Sequence, residues 1–155
     1  MTRILVTGMS GTGKSSAVQA LGDRGHHAVD TDADEWSRWV TLEDGTHDWV
    51  WREKAIDRLL AGHSEGALYV AGCKPNQGRF YDRFDHVALL SAPLDVLLAR
   101  IEVRSNNPYG KTPEERELIA HHLETVEPLL RATATLEIDA SRPLEQVVRE
   151  LEDLA

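Results

Sequence analysis

The sequence predicts an α/β fold in which helices cover both faces of a parallel sheet. Short apolar runs alternate along the chain with helical patterns, which is the order of a doubly wound sheet. The runs are almost continuously apolar, as in ALYVA at residues 67–71, and this is typical of strands buried on both faces. A glycine-rich segment follows the first run and precedes a helical pattern. Strands are predicted over residues 3–7, 27–30, 67–72, 86–91 and 135–139, and helices over residues 14–23, 33–40, 48–61, 93–104, 113–131 and 143–153.

Composition and charge predict one globular domain over residues 1–155. A chain of this length buries about 70% of its unfolded surface, and 41% apolar and 28% charged residues are ordinary for a folded domain. No run of about 18 apolar residues and no charged-then-apolar leader occurs, which predicts a soluble, cytoplasmic protein with no membrane partner. The net charge of −9 disfavours nucleic acid as a partner, because no Lys/Arg cluster offsets it. A monomer and a homodimer are both compatible with this composition.

Residues 8–15 read GMSGTGKS, a complete G-x-x-x-x-G-K-[ST] pattern directly after a predicted strand. Such a loop aims backbone N–H groups at phosphates, while Lys14 reaches the β and γ phosphates and Ser15 ligates Mg²⁺. The helix that follows adds the partial positive charge of its N-terminus. We therefore predict that ATP and Mg²⁺ bind here, through Gly11, Thr12, Gly13, Lys14, Ser15 and Ser16. The alternative is a glycine-rich turn that binds no ligand.

Two carboxylates follow the second predicted strand, in Asp30-Thr31-Asp32. Alternate side chains of a strand share a face, so both can point into the crevice beside the phosphate loop. This location suits phosphoryl transfer, with Asp30 ordering Mg²⁺ or its waters and Asp32 accepting the proton of an attacking hydroxyl. The alternative is that acidic residues open the next helix, which accounts well for Asp34 and Glu35.

The third predicted strand runs into small residues rather than acidic ones. None of the predicted strands ends in the Asp-Glu pair with which ATP-hydrolysing motors hold Mg²⁺ and polarise water. Gly72 leaves room for a substrate against the backbone. Cys73 is the single cysteine, which excludes an intrachain disulfide and a zinc site built on thiolates. We interpret it as a small buried side chain without a catalytic role.

Four arginines are candidates for anion binding. Arg100 and Arg104 lie four residues apart on the helix that enters a polar, turn-rich segment, residues 104–112, which we predict to be a lid. A cation on a lid stabilises the charge of a transferring phosphoryl group, and ion pairing on the helix surface is the alternative. Arg52 and Arg79 are candidates for clamping an anionic group of the substrate, and a surface role is equally open.

A segment that holds all four tryptophans, residues 32–53, fits the predicted sheet badly. In an open α/β sheet the ligand lies beyond the carboxyl ends of the strands, so we predict that this segment is a substrate flap. Trp36 and Trp39 are predicted to share one helical face, as part of either a small core or a stacking platform. The histidine pairs at residues 26–27 and 121–122 are interpreted as surface residues.

In these features the chain resembles the shikimate kinase-like branch of the small P-loop kinases, a wider group that includes gluconate kinases and nucleoside monophosphate kinases. The resemblance covers nearly the whole length. It rests on residues 8–15, 30–32 and 71–73, on the helix that carries Arg100, and on residues 138–144, which look like the family's adenine-side loop. It implies a P-loop NTPase three-layer sandwich with a five-stranded parallel sheet, a central phosphate-loop strand, a substrate flap and a lid.

The resemblance also implies roles for individual residues. Asp30 would hold Mg²⁺ through water, and Asp32 would contact the acceptor hydroxyl. Arg100 would pack on adenine opposite Pro143, and Arg52 would match an arginine that binds a substrate anion. Two departures disfavour shikimate itself: the family's glycine triplet is reduced to residues 71–73, AGC, and Val126 stands where shikimate kinases carry a carboxylate-binding arginine. The tryptophan-rich flap favours an aromatic or nucleoside-like acceptor instead.

The first functional hypothesis is an ATP-dependent kinase that phosphorylates a hydroxyl of a small molecule. Its candidate catalytic residues are Lys14, Asp32 and Arg104, and its candidate substrate-binding residues are Asp32, Arg52, Gly72 and Arg79. One alternative is a nucleoside or nucleotide kinase in which the tryptophans stack a base. The other is a nucleotide-binding regulatory ATPase without a small acceptor, which the missing Asp-Glu pair disfavours.

Overall fold

Five parallel strands form the central sheet of the computed structural model, which describes residues 1–105 and 108–155. The sheet strands are β1 (Thr2–Thr7), β2 (His27–Asp30), β5 (Ala67–Ala71), β6 (His86–Ser91) and β7 (Leu136–Asp139), and β3 (Ser37–Thr41) and β4 (His47–Trp51) form a separate hairpin. The helices are α1 (Lys14–Asp23), α2 (Glu53–Gly62), α3 (Leu94–Val103), α4 (Pro113–Thr125), α5 (Glu127–Thr133) and α6 (Leu144–Glu152), with a 3-10 helix at Gln77–Arg83. The predicted fold class is confirmed, and each of the five predicted strands is present to within one residue at either end.

The order of the strands brings the predicted site residues to one edge of the sheet. The sheet runs β2-β5-β1-β6-β7, so the strand before the phosphate loop is central. In the parallel register Val6 pairs with Ala71, and Ala71 pairs with Asp30. The phosphate loop, the small residues after β5 and the carboxylates after β2 therefore emerge side by side at the carboxyl edge, where open α/β sheets bind their ligands.

Helices cover both faces of this sheet. Alternate residues of β1 point to opposite faces, and Ile4 and Leu5 are both fully buried. Ile4 packs in the cluster that includes α1 and α6, and Leu5 packs in the cluster that includes α2 and Trp51. Burial on both faces explains why the strand sequences are continuously apolar and do not alternate with polar residues.

The predicted helix over residues 33–40 is wrong, because this part of the flap is a β-hairpin. Trp39 stands opposite Trp49 in the antiparallel register of β3 and β4. Gly45 closes the turn with a φ of 84°, and Asp44 Oδ1 accepts hydrogen bonds from Thr46. Aromatic and β-branched residues on both sides of an Asp-Gly turn favour this hairpin over a helix. Trp36 and Trp39 consequently do not share a helical face, and α2 begins at residue 53 instead of residue 48.

The long predicted helix over residues 113–131 divides in two at Val126. Thr112 caps α4 by accepting a hydrogen bond from the Glu115 backbone N–H at 3.2 Å. Pro128 in the first turn of α5 has no N–H to continue the hydrogen-bond ladder, which explains the break. Of the predicted lid over residues 104–112, residues 106 and 107 lie outside the described part of the chain. Among the described helices, none is long and apolar enough to cross a membrane.

Candidate active site

The phosphate loop joins β1 to α1 by backbone conformations that favour glycine. Gly11 and Gly13 have φ values of 88° and 91°, in the left-handed region. A Cβ on Gly8 would lie 2.4 Å from the Leu90 carbonyl oxygen, so the loop rests directly on the end of β6. Gly13 precedes α1 and, as a glycine, has no side chain that could cap the helix. The N–H groups of the first turn of α1 are thus exposed to an anion that enters the loop.

Lys14 spans this loop from inside. Its Nζ donates hydrogen bonds to the carbonyl oxygens of Gly8 and Met9, at 2.7 and 3.0 Å. Burial lowers the pKa of Lys14 below its ordinary value, because desolvation penalises the ammonium form. A partly buried cation whose present partners are two neutral carbonyl groups favours the binding of a strongly charged phosphate group.

Ser15 and Asp30 form a pair of hard oxygen ligands at the mouth of the loop. The Ser15 hydroxyl donates to Asp30 Oδ2 at 2.6 Å, while Asp30 Oδ1 accepts from the Asp32 backbone N–H at 3.0 Å. Both side chains lie in an exposed environment, which leaves room for water. One hydroxyl, one carboxylate, waters and substrate phosphates are the ligands that Mg²⁺ prefers. The residues present therefore fit the ion that the loop pattern implies.

Asp32 extends from the same strand end but has different partners. Its Oδ1 accepts hydrogen bonds from Trp49 Nε1 at 2.8 Å and from Lys74 Nζ at 2.9 Å. Partial burial opposes ionisation of Asp32, but the hydrogen bond and charge of Lys74, helped by Trp49 and Lys14, outweigh it and lower the pKa. Asp32 is therefore a carboxylate at neutral pH.

Two arginines of α3 and its C-cap face the site from the lid side. Arg104 Nη2 donates to the Tyr109 carbonyl at 2.7 Å and to Ser10 Oγ at 3.4 Å, so it connects the lid to the phosphate loop. Burial lowers the pKa of Arg104 although the charge of Asp32 favours its cationic form. Arg100 Nη2 donates to the Ala140 carbonyl at 2.5 Å, at the start of the loop that leads to α6.

One continuous cavity of ≈ 510 Å³ joins these groups. The predicted site residues along its wall are the loop residues 11–16, Asp30, Asp32, Gly72, Arg100 and Arg104. The cavity is also lined by Ile119 and His122 of α4 and by Leu144 and Val147 of α6, which add a mixed polar and apolar surface. The phosphate loop, the carboxylates after β2 and side chains of α4 and α6 thus share one cavity.

The structure does not bring every predicted residue to this cavity. Arg52 donates to the Asp34 carbonyl at 2.7 Å, and Arg79 pairs with Glu53 at 3.3 Å in an exposed position. Neither lines the cavity, and Pro143 does not line it either, although its neighbour Arg142 does. Gly72 lines it, but the space beside its Cα is largely taken, because a Cβ there would lie 2.4 Å from Thr31 Oγ1.

Several residues that line the cavity were not predicted from the sequence, among them Lys74, Tyr109, His122 and Arg142. Lys74 lies two residues beyond Gly72 in a segment that reads as an ordinary loop, and only its contact with Asp32 reveals its position. Tyr109, His122 and Arg142 line the cavity from the lid, α4 and the loop before α6. The interpretation of His122 as a surface residue is wrong, because it is half-buried and faces this cavity. The spacing of α4 could have indicated this, because His122 lies three residues after the buried Ile119 and so shares its helical face.

A central parallel strand, a phosphate loop and a helix in this order define a P-loop nucleotide-binding domain. The sequence model of a family described as "AAA domain" matches residues 4–121, and the chain belongs to this family. A "Nucleotide-binding protein" of Delftia acidovorans is 33% identical over 131 residues, which cover 82% of this chain and 42% of the relative. Another of Deinococcus radiodurans is 30% identical over 128 residues, covering 77% and 43%. The chain therefore spans less than half the length of these curated relatives.

Solved structures of kinases share the fold. A shikimate kinase from Acinetobacter baumannii, in complex with shikimate, is similar with a TM-score of 0.69 and 18% identity, over 99% of this chain and 92% of that one. A gluconokinase from Sinorhizobium meliloti gives 0.64 and 20%, over 99% and 90% of the two chains. The deoxyadenosine kinase of M. mycoides, with bound dATP, gives 0.59 and 12%, over 99% and 98%. At these identities the likeness shows the fold alone.

Proposed function

We propose that this chain is an ATP-dependent kinase that transfers the γ-phosphoryl group to a hydroxyl of a small molecule. The observation that carries the proposal is the position of Asp32. It lines the cavity of the phosphate loop, yet it lies outside the Ser15–Asp30 pair that fits Mg²⁺. A second ionised carboxylate beside the phosphates is what a kinase needs to engage an acceptor hydroxyl.

The donor half of the reaction rests on the phosphate loop. Its backbone N–H groups and Lys14 hold the phosphates, and the N-terminus of α1 adds positive charge. Mg²⁺, held by Ser15 and Asp30, would neutralise phosphate charge when bound. Arg104 links the loop to the lid and is placed to stabilise charge on the transferring group.

The acceptor half rests on Asp32 and the part of the cavity that Asp32 lines. The acceptor oxygen attacks phosphorus, a new O–P bond forms, and the bond between the γ phosphorus and the bridging oxygen breaks to release ADP. The hydroxyl proton passes to Asp32 and then to solvent. Because the pKa of Asp32 lies below its ordinary value, Asp32 acts chiefly by orienting the hydroxyl and accepts the proton late in the transfer.

The flap favours an acceptor with a flat or ring-shaped part. Trp39 and Trp49 pack with ring centroids 5.1 Å apart, and Trp39 is 67% exposed. Indole rings beside a carboxylate suit a nucleoside or another cyclic alcohol, which keeps a nucleoside kinase as the second candidate. Arg52 binds the Asp34 carbonyl and Arg79 pairs with Glu53, so we assign these two arginines surface roles.

The test is a screen of phosphoryl acceptors with Mg–ATP, covering sugars, sugar acids, nucleosides and aminocyclitols, with ADP release as the readout. An acceptor that raises ADP release by orders of magnitude supports a kinase. ADP release that no acceptor changes, or none at all, supports the regulatory ATPase instead. Asp32→Asn is the matched variant: it should reduce phosphoryl transfer far more than ATP affinity, and an equal loss of both would make Asp32 a nucleotide or metal residue.

A further inference from the structure

Lys74 is a buried cation next to an exposed carboxylate. Its side chain is 9% exposed, whereas that of its partner Asp32 is 52% exposed, and Nζ lies 2.9 Å from Asp32 Oδ1. Burying an ammonium group costs free energy unless it gains a close partner. The pair is therefore unlike an exposed surface ion pair, in which both side chains move freely in water.

A buried network holds Lys74 in this position. The Lys74 backbone N–H donates to Gln77 Oε1 at 2.9 Å. Gln77 is 2% exposed, and its Nε2 donates to Thr7 Oγ1 at the end of β1 and to the Tyr81 hydroxyl, both at 3.0 Å. The position of the lysine is thus tied to the strand that leads into the phosphate loop.

A second donor from the flap binds the same oxygen of Asp32. Trp49 Nε1 lies 2.8 Å from Oδ1, the atom that Lys74 also contacts. Two donors from different elements restrict the rotation of the carboxylate, and both engage Oδ1. The other oxygen, Oδ2, remains for the cavity that Asp32 lines.

We propose that Lys74 is a positioning residue for phosphoryl transfer, which together with Trp49 holds Asp32 by Oδ1 so that Oδ2 meets the acceptor hydroxyl. This inference rests on the proposed kinase function. The hydroxyl proton moves to Oδ2 as the O–P bond forms and ADP leaves. Because Trp49 belongs to β4, the arrangement also makes the orientation of Asp32 depend on the position of the flap.

The first arm of the test needs no acceptor. In a ¹H–¹⁵N spectrum of the protein without ligands, the indole resonance of Trp49 is assigned by its loss in Trp49→Phe. Lys74→Met should shift this resonance, because the carboxylate that accepts its hydrogen bond is no longer fixed. Lys74→Arg should restore much of the wild-type position, and Lys54→Met, on an exposed residue of α2, should leave it unchanged. An indole resonance that Lys74→Met does not move would overturn the inference.

The second arm uses the alcohol that gives the fastest ADP release in the acceptor screen. Lys74→Met should lower kcat by about 10²-fold, the effect of a misplaced reacting group, with the KM for ATP and for the alcohol nearly unchanged. Lys74→Arg should recover most of this loss. A raised KM for the alcohol with unchanged kcat would show that Lys74 binds the acceptor itself, and the positioning role would be rejected. If Asp32→Asn also kept full kcat, the proposed function would fail; if only Lys74→Met kept it, this inference alone would fail.

Discussion

Replacement of Gly72 by alanine tests how tightly the flap is attached to the sheet. The Gly72 Cα faces two side chains of the flap region: an added Cβ would lie 2.4 Å from Thr31 Oγ1 and 3.1 Å from Trp51 Nε1. These two atoms are hydrogen-bonded to each other at 2.8 Å, and Thr31 Oγ1 donates to the Ala71 carbonyl at 2.6 Å. All of these groups are buried, so they have no solvent into which they can move.

The contacts set the expected magnitude. Thr31 Oγ1 must move by about 1 Å to reach an ordinary van der Waals distance, and overpacking of this kind costs roughly 1–3 kcal/mol. The same movement weakens the buried hydrogen bond from Trp51, which adds about 1–3 kcal/mol when a buried partner is left unsatisfied. We expect Gly72→Ala to lower the free energy of unfolding by roughly 2–6 kcal/mol, a large part of the stability of an ordinary domain.

Urea unfolding followed by circular dichroism measures this loss. Gly22→Ala is the control, because Gly22 lies within α1 and a Cβ there meets nothing within 4 Å. That change should stabilise the protein by about 0.5–1 kcal/mol through helix propensity. In a Thr31→Ala background the clashing hydroxyl is absent, so Gly72→Ala should cost at least about 1 kcal/mol less than in the wild type. Strictly additive effects of the two changes would refute the steric explanation.

Three further outcomes follow from buried or paired ionisable groups. Lys14→Met should abolish ATP turnover. Its free energy of unfolding should stay equal or rise, because burial disfavours the charged lysine, and a loss of stability measured by calorimetry would contradict this. Burial raises the pKa of Tyr69 to about 12, so the folded state favours the protonated phenol, and this stability is present below pH 10 and is lost as the pH rises from 10 to about 12. In urea titrations, the free energy of unfolding should fall by about 1 kcal/mol more in the wild type than in Tyr69→Phe between pH 9 and 11. Equal losses in the two proteins would exclude the effect. Hydrogen bonds from His26 and, to a smaller extent, Arg24 lower the pKa of Glu152. The ionised carboxylate therefore stabilises the fold above pH 4.5, and this contribution is lost on acidification. In Glu152→Gln the free energy of unfolding should fall less steeply below that pH than in the wild type.

Short sequence patterns predict most of the part of the candidate site that we propose to bind ATP and Mg²⁺. The phosphate loop needs glycines, a lysine and a serine at fixed spacing, and its geometry is set within eight residues of chain. That Ser15 and Asp30 lie at the same edge could be predicted as well, because parallel strands end at one edge of a sheet.

The flap shows where local reasoning fails. Residues 33–40 contain tryptophans at a spacing that suits a helix, but a helix there would not pair with the following strand. Antiparallel pairing of β3 with β4 places Trp39 against Trp49 and leaves Trp51 free to enter the core, where it is 1% exposed. The free energy gained by burying the Trp51 indole depends on contacts with residues far along the chain, such as Phe80. A local stretch of sequence does not contain these residues.

The sequence by itself determined the fold class, the positions of the five sheet strands along the chain and the phosphate-loop motif, since each depends on apolar periodicity or on a compact pattern. Only the tertiary structure decided the acceptor side. Asp32 meets Lys74 across 42 residues of sequence and Trp49 across 17, while Arg52 and Arg79 turn to other partners. Such contacts depend on strand register and on the hairpin's attachment to the sheet, and a one-residue shift in a strand would turn each side chain to the opposite face.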